Sequence, residues 1–380
     1  MRLAIALGGT DWGRSGIGTY VRAMLPRLTR GLAETEGRLV ALGTARDFAA
    51  YEGELGDAER AAVPDAVDRP ALSAAWYLAR CGAHARSAGA DVLLLPAANR
   101  RVALRPGLPT VGVVHDLAQF TVPDKYDRLR TTYVRWLLPK ALRSFEALAA
   151  VSHATRRDMA SFLSCAPQRI HVIPNGVDAD RFASTDGTRA TVVRERLGLT
   201  APYLLYLSRL EHPGKNHLRL LRAFAASPVR QDHQLVLAGA DWGAEGLIRE
   251  ELQRLGLQER VRMLGYVEDG LIPGLVAGAE AIIAVGLCEG FGLPALEAIA
   301  AGKPVLAARA GALPEVVGDL GVLCDPLDEQ DMAAAMMRLV RDEPLAARVH
   351  REGPGHARQR SWDRTSDDLL ALCHSVGGAR

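Results

Sequence analysis

Along most of the chain, short unbroken apolar runs alternate with longer stretches in which apolar residues recur every three or four positions. In the first half the unbroken runs are LAIAL, RLVALG, DVLLLP, TVGVVHD, EALAAVS and IHVIP. In the second half they are YLLYLS, QLVLAGA, VRMLGY, AIIAV, PVLAAR and GVLCDP. A strand that is apolar at every position is buried on both faces, as in a parallel sheet with helices on either side. Two successive series of this kind predict two doubly wound α/β domains, which suits a chain of 380 residues. The polar stretch Ala183 to Thr200 has no strand pattern and is the expected boundary. The predicted division is residues 1–182, a linker at 183–200, a second domain at 201–358, and a terminal helix at 359–380 built around SWDRTSDDLLALCHSV. The sequence leaves open which domain that helix packs on.

Composition narrows the function classes. With 48% hydrophobic and 24% charged residues and a net charge of +2, the chain reads as globular and not as a dedicated nucleic-acid binder. No apolar run approaches the roughly 20 residues of a membrane span, and the first residues lack the basic and apolar pattern of a signal peptide, so the expected location is the cytoplasm. The five cysteines, Cys81, Cys165, Cys288, Cys324 and Cys373, are scattered and never form C-x-x-C. They are expected to be small buried hydrophobes, not zinc ligands or disulfides. There is no solenoid-period repeat or low-complexity segment.

The candidate chemistry begins with GGTDWGRSGIGTYV, Gly8 to Val21, between the first apolar run and a helix expected over Ile17 to Arg30. Gly16 and Gly18 fit the first two places of G-x-G-x-x-G, but Val21 occupies the third, and no Gly-Lys pair is followed by Ser or Thr. Neither the dinucleotide fingerprint nor the phosphate loop is present. What remains is a glycine turn that brings backbone N–H groups toward an anion or a sugar, or one that is merely a mobile surface loop.

The segment CEGFGLPALEAIAAGKPV, Cys288 to Val305, carries more. Glu289 ends a strand, Gly290 and Gly292 permit a tight turn, and Leu293 to Ala301 begins a helix whose first N–H groups favour an anion. Glu297 stands about one turn into that helix, so both carboxylates can accept from the hydroxyls of a sugar and a ribose. The bland reading makes Glu297 a solvated helix residue and the glycines a bend. Upstream, Arg209 and Lys215 in YLLYLSRLEHPGKNHLRLLRAF follow another strand end, where they are either exposed loop charges or ligands for a departing diphosphate.

With these segments in order, the chain resembles the retaining glycosyltransferases of family 4. The resemblance runs nearly full length through SGIGTY, VHD at 114–116, VSHATRRD at 151–158, VIPNGVDADRF at 172–182, SRLEHPGKN at 208–216, EGFGLPALE at 289–297 and GALPEVVGD at 311–319. It implies the GT-B fold, two Rossmann-like doubly wound domains facing each other across a cleft. It also implies that the turn with Gly16, Ile17 and Gly18 approaches donor phosphate and acceptor, and that Arg209 and Lys215 bind the diphosphate. By the same resemblance Glu289 contacts donor-sugar hydroxyls beside the backbone of Phe291, Gly292 and Leu293, Glu297 holds the ribose, and His115 is the active-site histidine.

The family commonly has Pro-Ser where this chain has Val285-Gly286, which removes any hydroxyl contact made there. Asp178-Ala179-Asp180 looks like a metal-binding Asp-x-Asp, but the resemblance implies no metal and no other cofactor. The implied reaction is glycosyl transfer from a sugar nucleotide to an acceptor hydroxyl with retention, the donor being GDP-mannose ahead of UDP- or dTDP-sugars. The acceptor is expected to be a saccharide or lipid-linked saccharide. Residues 126–145, with Arg128, Arg130, Arg135, Lys140 and Arg143 among Tyr133, Trp136, Leu137, Leu138 and Phe145, either contact the inner face of a membrane or pack on their own domain. The competing functions are a sugar-nucleotide epimerase on the same fold and a non-catalytic sugar-nucleotide-binding partner.

Overall fold

The computed structural model describes residues 1–122, 128–183 and 187–378. Residues 126–127 of the basic stretch and the side chains of 128–134, among them Arg128, Arg130 and Tyr133, lie outside the described residues, as do 184–186 of the expected linker. The chain divides into two compact units; of the described residues one holds 1–120, 128–176 and 362–378, the other 121–122, 177–183 and 187–361.

Among the described residues the first unit holds a seven-stranded sheet. Its strands are β1 (Arg2–Ala6), β2 (Arg38–Gly43), β3 (Glu59–Ala62), β4 (Val92–Leu95), β5 (Thr110–Val114), β6 (Ala147–Ala150) and β7 (Ile170–Val172). The order is β3-β2-β1-β4-β5-β6-β7, with every pairing parallel. The second unit holds a six-stranded parallel sheet of β8 (Tyr203–Leu207), β9 (Gln234–Ala238), β10 (Val261–Gly265), β11 (Ala281–Ala284), β12 (Val305–Ala308) and β13 (Gly321–Cys324), in the order β10-β9-β8-β11-β12-β13. Both sheets follow one plan. The chain starts on a central strand, walks to one edge, and returns to the far side of the starting strand. Such a reversal opens a crevice at the carboxyl ends of the two strands that flank it, here β1 and β4, and β8 and β11.

The strands form where the unbroken apolar runs stand. Val92 to Leu95, Ala147 to Ala150 and Ala281 to Ala284 are buried at every position, because helices cover both faces. One strand lies outside that pattern. β3 reads ERAA, and at the sheet edge its residues are only partly buried or exposed, so no apolar run marks it. Its Glu59 pairs instead with Arg2 and Arg38.

Two differences concern the boundaries. Within 183–200, residues Gly187–Arg196 form a helix of the second unit, and the division falls between 176 and 177. That helix is polar because only Val193 is buried, against Gly274, where an added Cβ would stand 2.6 Å from Val193 Cγ2. The terminal helix, Trp362–Gly377, is part of the first unit. Its Asp363 accepts from Arg27 at 3.1 Å and Arg30 at 2.8 Å, its Thr365 hydroxyl donates to the Pro174 carbonyl at 2.8 Å, and Leu370 fills the space beside Gly31.

Candidate active site

In the second unit, the loop between β8 and the helix His217–Ala226 carries Arg209 and Lys215. Its shape is fixed at the far end by Asn216, which adopts a left-handed φ of 59°. The Asn216 amide donates to the carbonyls of Val285 (3.1 Å) and Pro326 (2.7 Å), tying the loop to the segments that follow β11 and β13. The Tyr206 hydroxyl donates to the Lys215 carbonyl at 2.6 Å, and the Leu287 N–H donates to Gly214 at 2.9 Å. These bonds place the Lys215 ammonium 2.7 Å from Glu289 Oε1, with both side chains largely shielded from solvent. Two residues far apart in sequence thus meet at the β8–β11 reversal.

Glu289 lies in the loop that follows β11, beyond the strand end at Ala284. Its backbone is gripped by the 311–319 motif: the Ala312 N–H donates to the Glu289 carbonyl at 2.8 Å, and a Cβ on Gly311 would come within 2.3 Å of that oxygen. Gly286, the departure noted above, also has a visible effect. A Cβ there would stand 2.5 Å from Glu289 Oε1, so the missing side chain makes room for the carboxylate in its contact with Lys215.

The turn then reaches Gly292, whose φ of 92° suits glycine, and the helix Leu293–Ala300 starts with no side-chain cap. Pro294 has no N–H and the Ala295 N–H turns back to the Gly292 carbonyl at 3.0 Å, so what this end offers an anion is chiefly the positive pole of the helix dipole. Phe291 and Leu293 are buried beside this turn. Glu297, one turn further on, has its carboxyl pushed up to about 7 by burial, with Arg181 opposing the shift and Asp269 adding to it.

Arg209 is not in the Lys215–Glu289 pair. Its Nη2 donates to Glu211 Oε2 at 2.9 Å, and its guanidinium carbon lies 4.1 Å from the centroid of the Trp242 ring. Its Nη1 is buried and has no hydrogen-bond partner among the described residues. Such a group is costly until an acceptor reaches it.

In the first unit the glycine turn is strapped down. Asp11 and Trp12 take left-handed φ values of 55° and 50°, an uncommon state for residues other than glycine. Asp11 pairs with Arg100, and Trp12 stacks under Arg46 at 3.5 Å. The Tyr51 hydroxyl accepts the Gly13 N–H at 2.9 Å and donates to Thr10 Oγ1 at 2.7 Å. The helix Gly16–Ala33 follows, with Ser15 as its N-cap accepting the Gly18 N–H at 3.3 Å. Gly16 has open space where a Cβ would be, Ile17 is buried, and Gly18 lies so close to the Gly13 backbone that a Cβ would approach to 2.5 Å.

His115 follows β5 and is 6% exposed. A carbonyl can only accept, so Nε2, 2.8 Å from the Pro96 oxygen, carries the proton and Nδ1 keeps its lone pair. Burial pushes its pKa down to about 4, and the Tyr20 ring meets it edge-on at 4.9 Å. It is a neutral hydrogen-bonding group at physiological pH.

Some sequence candidates have other employment. Asp180 pairs with Arg358 at 3.0 Å, and Asp178 accepts the Arg181 N–H at 3.2 Å. In the basic stretch Trp136 is 69% exposed with Lys140 beside its ring, whereas Leu138, Leu142 and Phe145 are buried. Among the described residues no helix is long and apolar enough to cross a membrane. Trp242 and Glu211 were not singled out by the sequence. The available signal was an aromatic residue in the otherwise small and polar loop GADWGAE just past β9.

These two parallel-sheet, Rossmann-like domains define a GT-B protein. The family described as glycosyl transferases group 1 matches residues 191–356, and glycosyltransferase family 4 matches residues 14–181. The chain belongs to the group 1 glycosyltransferases. It is 29% identical over 262 residues to O-antigen chain mannosyltransferase B of Escherichia coli, covering 68% of each chain. It is 33% identical over 288 residues to the D-inositol 3-phosphate glycosyltransferase of Salinispora tropica, covering 70% of this chain and 59% of that one. The Anabaena protein HepE, solved with UDP-glucose, superposes with a TM-score of 0.79 at 20% identity over 99% of this chain and 100% of its own, a likeness of fold.

Proposed function

We propose that this chain is a retaining, metal-independent hexosyltransferase that moves a sugar, with GDP-mannose the first choice of donor, from a sugar nucleotide to an acceptor hydroxyl. The acceptor is a saccharide or lipid-linked saccharide of cell-surface polysaccharide or glycoconjugate synthesis, met at the cytoplasmic face of the membrane. The observation that carries the reading is the group Arg209, Lys215 and Glu289 at the β8–β11 reversal, with Lys215 paired to Glu289 and Arg209 to Glu211 beside the start of the helix Leu293–Ala300. The bond from the anomeric carbon to the diphosphate breaks and the acceptor oxygen bonds to that carbon from the same face. The electron pair leaves on the diphosphate, which Lys215 and Arg209 stabilise and which takes up the acceptor's proton. Glu289 releases Lys215 to the phosphate and accepts from sugar hydroxyls, while Glu297 accepts from the ribose.

Likeness to a mannosyltransferase supports mannose, and likeness to a protein solved with UDP-glucose supports a nucleotide sugar without fixing the base. The test is a panel of sugar nucleotides read by thermal stabilisation and slow donor hydrolysis, since a ligand that binds only the native chain raises its melting temperature. GDP-mannose is expected to stabilise most. If UDP- or dTDP-sugars do so instead, the mannose assignment is wrong and the transferase stands; if none binds, both fall. Turnover that disappears in EDTA and returns with magnesium would overturn metal independence.

A further inference from the structure

Arg209 is held from two sides, by the Trp242 ring and the Glu211 carboxylate. The loops past β8 and β9 are zipped together beyond the ends of their strands. The Ser208 N–H donates to Ala238, the Leu210 N–H to Ala240 and the Trp242 N–H to Leu210, each at 2.9 Å. Gly239 makes this approach possible, because a Cβ there would stand 2.1 Å from the Ser208 carbonyl oxygen. Just beyond, Asp241 accepts the N–H groups of Gly243, Ala244 and Glu245 at 2.9 to 3.0 Å, anchoring the loop to the helix Glu245–Leu255. Trp242 is thereby fixed by its own backbone with its ring over the Arg209 guanidinium at 4.1 Å, although 45% of the residue is exposed. Glu211 takes Nη2 at 2.9 Å, which leaves Nη1 as the buried donor short of an acceptor.

We infer that Trp242 is a positioning residue for the donor diphosphate: its ring and the Glu211 carboxylate lock the Arg209 guanidinium in one plane so that Nη1 is offered to a phosphate oxygen. This rests on the reading of Arg209 as a diphosphate ligand. A free arginine side chain has several rotatable bonds to freeze when it binds; here the ring contact and one charged hydrogen bond restrict it before the ligand arrives. The inference also accounts for an aromatic ring held in a loop otherwise made of small and polar residues.

The experiment compares nucleoside diphosphates with monophosphates. GDP, GMP, UDP and UMP are titrated calorimetrically into the wild type and into Trp242→Leu, Trp242→Phe, Arg209→Ala and the double variant Arg209→Ala/Trp242→Leu. For whichever base the wild type prefers, Trp242→Leu is expected to weaken the diphosphate roughly 5- to 20-fold while leaving the monophosphate within about 2-fold. Trp242→Phe, which keeps a ring face, is expected to stay within about 3-fold of wild type for both. In the Arg209→Ala background, Trp242→Leu is expected to add less than about 2-fold, since there is no guanidinium left to position. An equal loss for mono- and diphosphate, no loss for either, or the full loss persisting without Arg209, overturns the inference and leaves the diphosphate reading intact. A diphosphate affinity unchanged by Arg209→Ala defeats that reading first, and the inference with it.

Discussion

In the first unit the loops past β1 and β5 bear a glycine turn tied down by Tyr51 and a histidine that is neutral and bonded to Pro96. In the second, the loops past β8 and β11 bear Arg209, paired with Glu211, and Lys215, paired with Glu289. The sheet plan is shared, and so is the end of the sheet at which these groups collect. Topology therefore selects the place, and loop residues select the chemistry. In one unit an ion pair, Asp11 with Arg100, straps a turn beside a neutral histidine; in the other the ion pairs are made by the candidate site residues themselves.

Removing charge from the second unit is the most direct way to break this contrast. Lys215→Ala, and Arg209→Ala more weakly, should reduce turnover by ~100-fold or more with the melting temperature retained, because each takes a cation from the leaving diphosphate. Steady-state kinetics on folded variants gives the answer, and near-normal turnover in both would erase the distinction. Glu297→Ala should act on binding, weakening the nucleoside diphosphate by roughly 1 to 3 kcal/mol in calorimetry. Because the Glu297 carboxyl is pushed up to about 7, affinity should climb as pH passes from 6 to 8 in the wild type and stay flat in Glu297→Gln.

Stability should respond to pH with opposite sign in the two units. His115 has its pKa pushed down to about 4, so its contribution is present above the ordinary histidine value of 6.5 and is lost as pH falls toward 4. For Glu297 the folded pKa is raised, so its contribution is present below 4.5 and is lost as pH rises through 7. Denaturant unfolding of His115→Asn should lose the acid-side slope, and that of Glu297→Gln the neutral-side slope. Identical pH profiles for all three chains would show that neither group is linked to folding. The smallest effect is expected at Ser15→Ala, about 0.5 to 1 kcal/mol of stability from the lost cap, with nucleoside diphosphate affinity unchanged.

Much of this frame was legible from periodicity, since strands buried on both faces leave short apolar runs that recur between the helical stretches. The helix expected over Ile17 to Arg30 spans Gly16–Ala33, and the one expected from Leu293 to Ala301 spans Leu293–Ala300. β3 escaped because an edge strand need not be apolar, and Gly187–Arg196 escaped because a helix anchored by Val193 alone has no stripe to detect. The loops carrying the candidate residues were equally visible, but their contacts were not. The bond from Tyr51 to the glycine turn, the pairing of Lys215 with Glu289, and the ring of Trp242 over Arg209 join residues that sequence spacing cannot relate. Such contacts follow from strand order, which the reversal in each sheet sets.

The terminal helix Trp362–Gly377 also imposes an order in time. It buries Trp362, Leu369, Leu370, Leu372 and Cys373 within a unit whose last strand ends at Val172. At ribosomal speeds of roughly 5–20 residues per second, the about 200 residues between them take on the order of 10–40 s to appear. Through that interval the nascent sheet and the Gly16–Ala33 helix wait with an apolar face uncovered, while the entire second unit is synthesised and can close its own core. The unit that is translated first is therefore the one completed last.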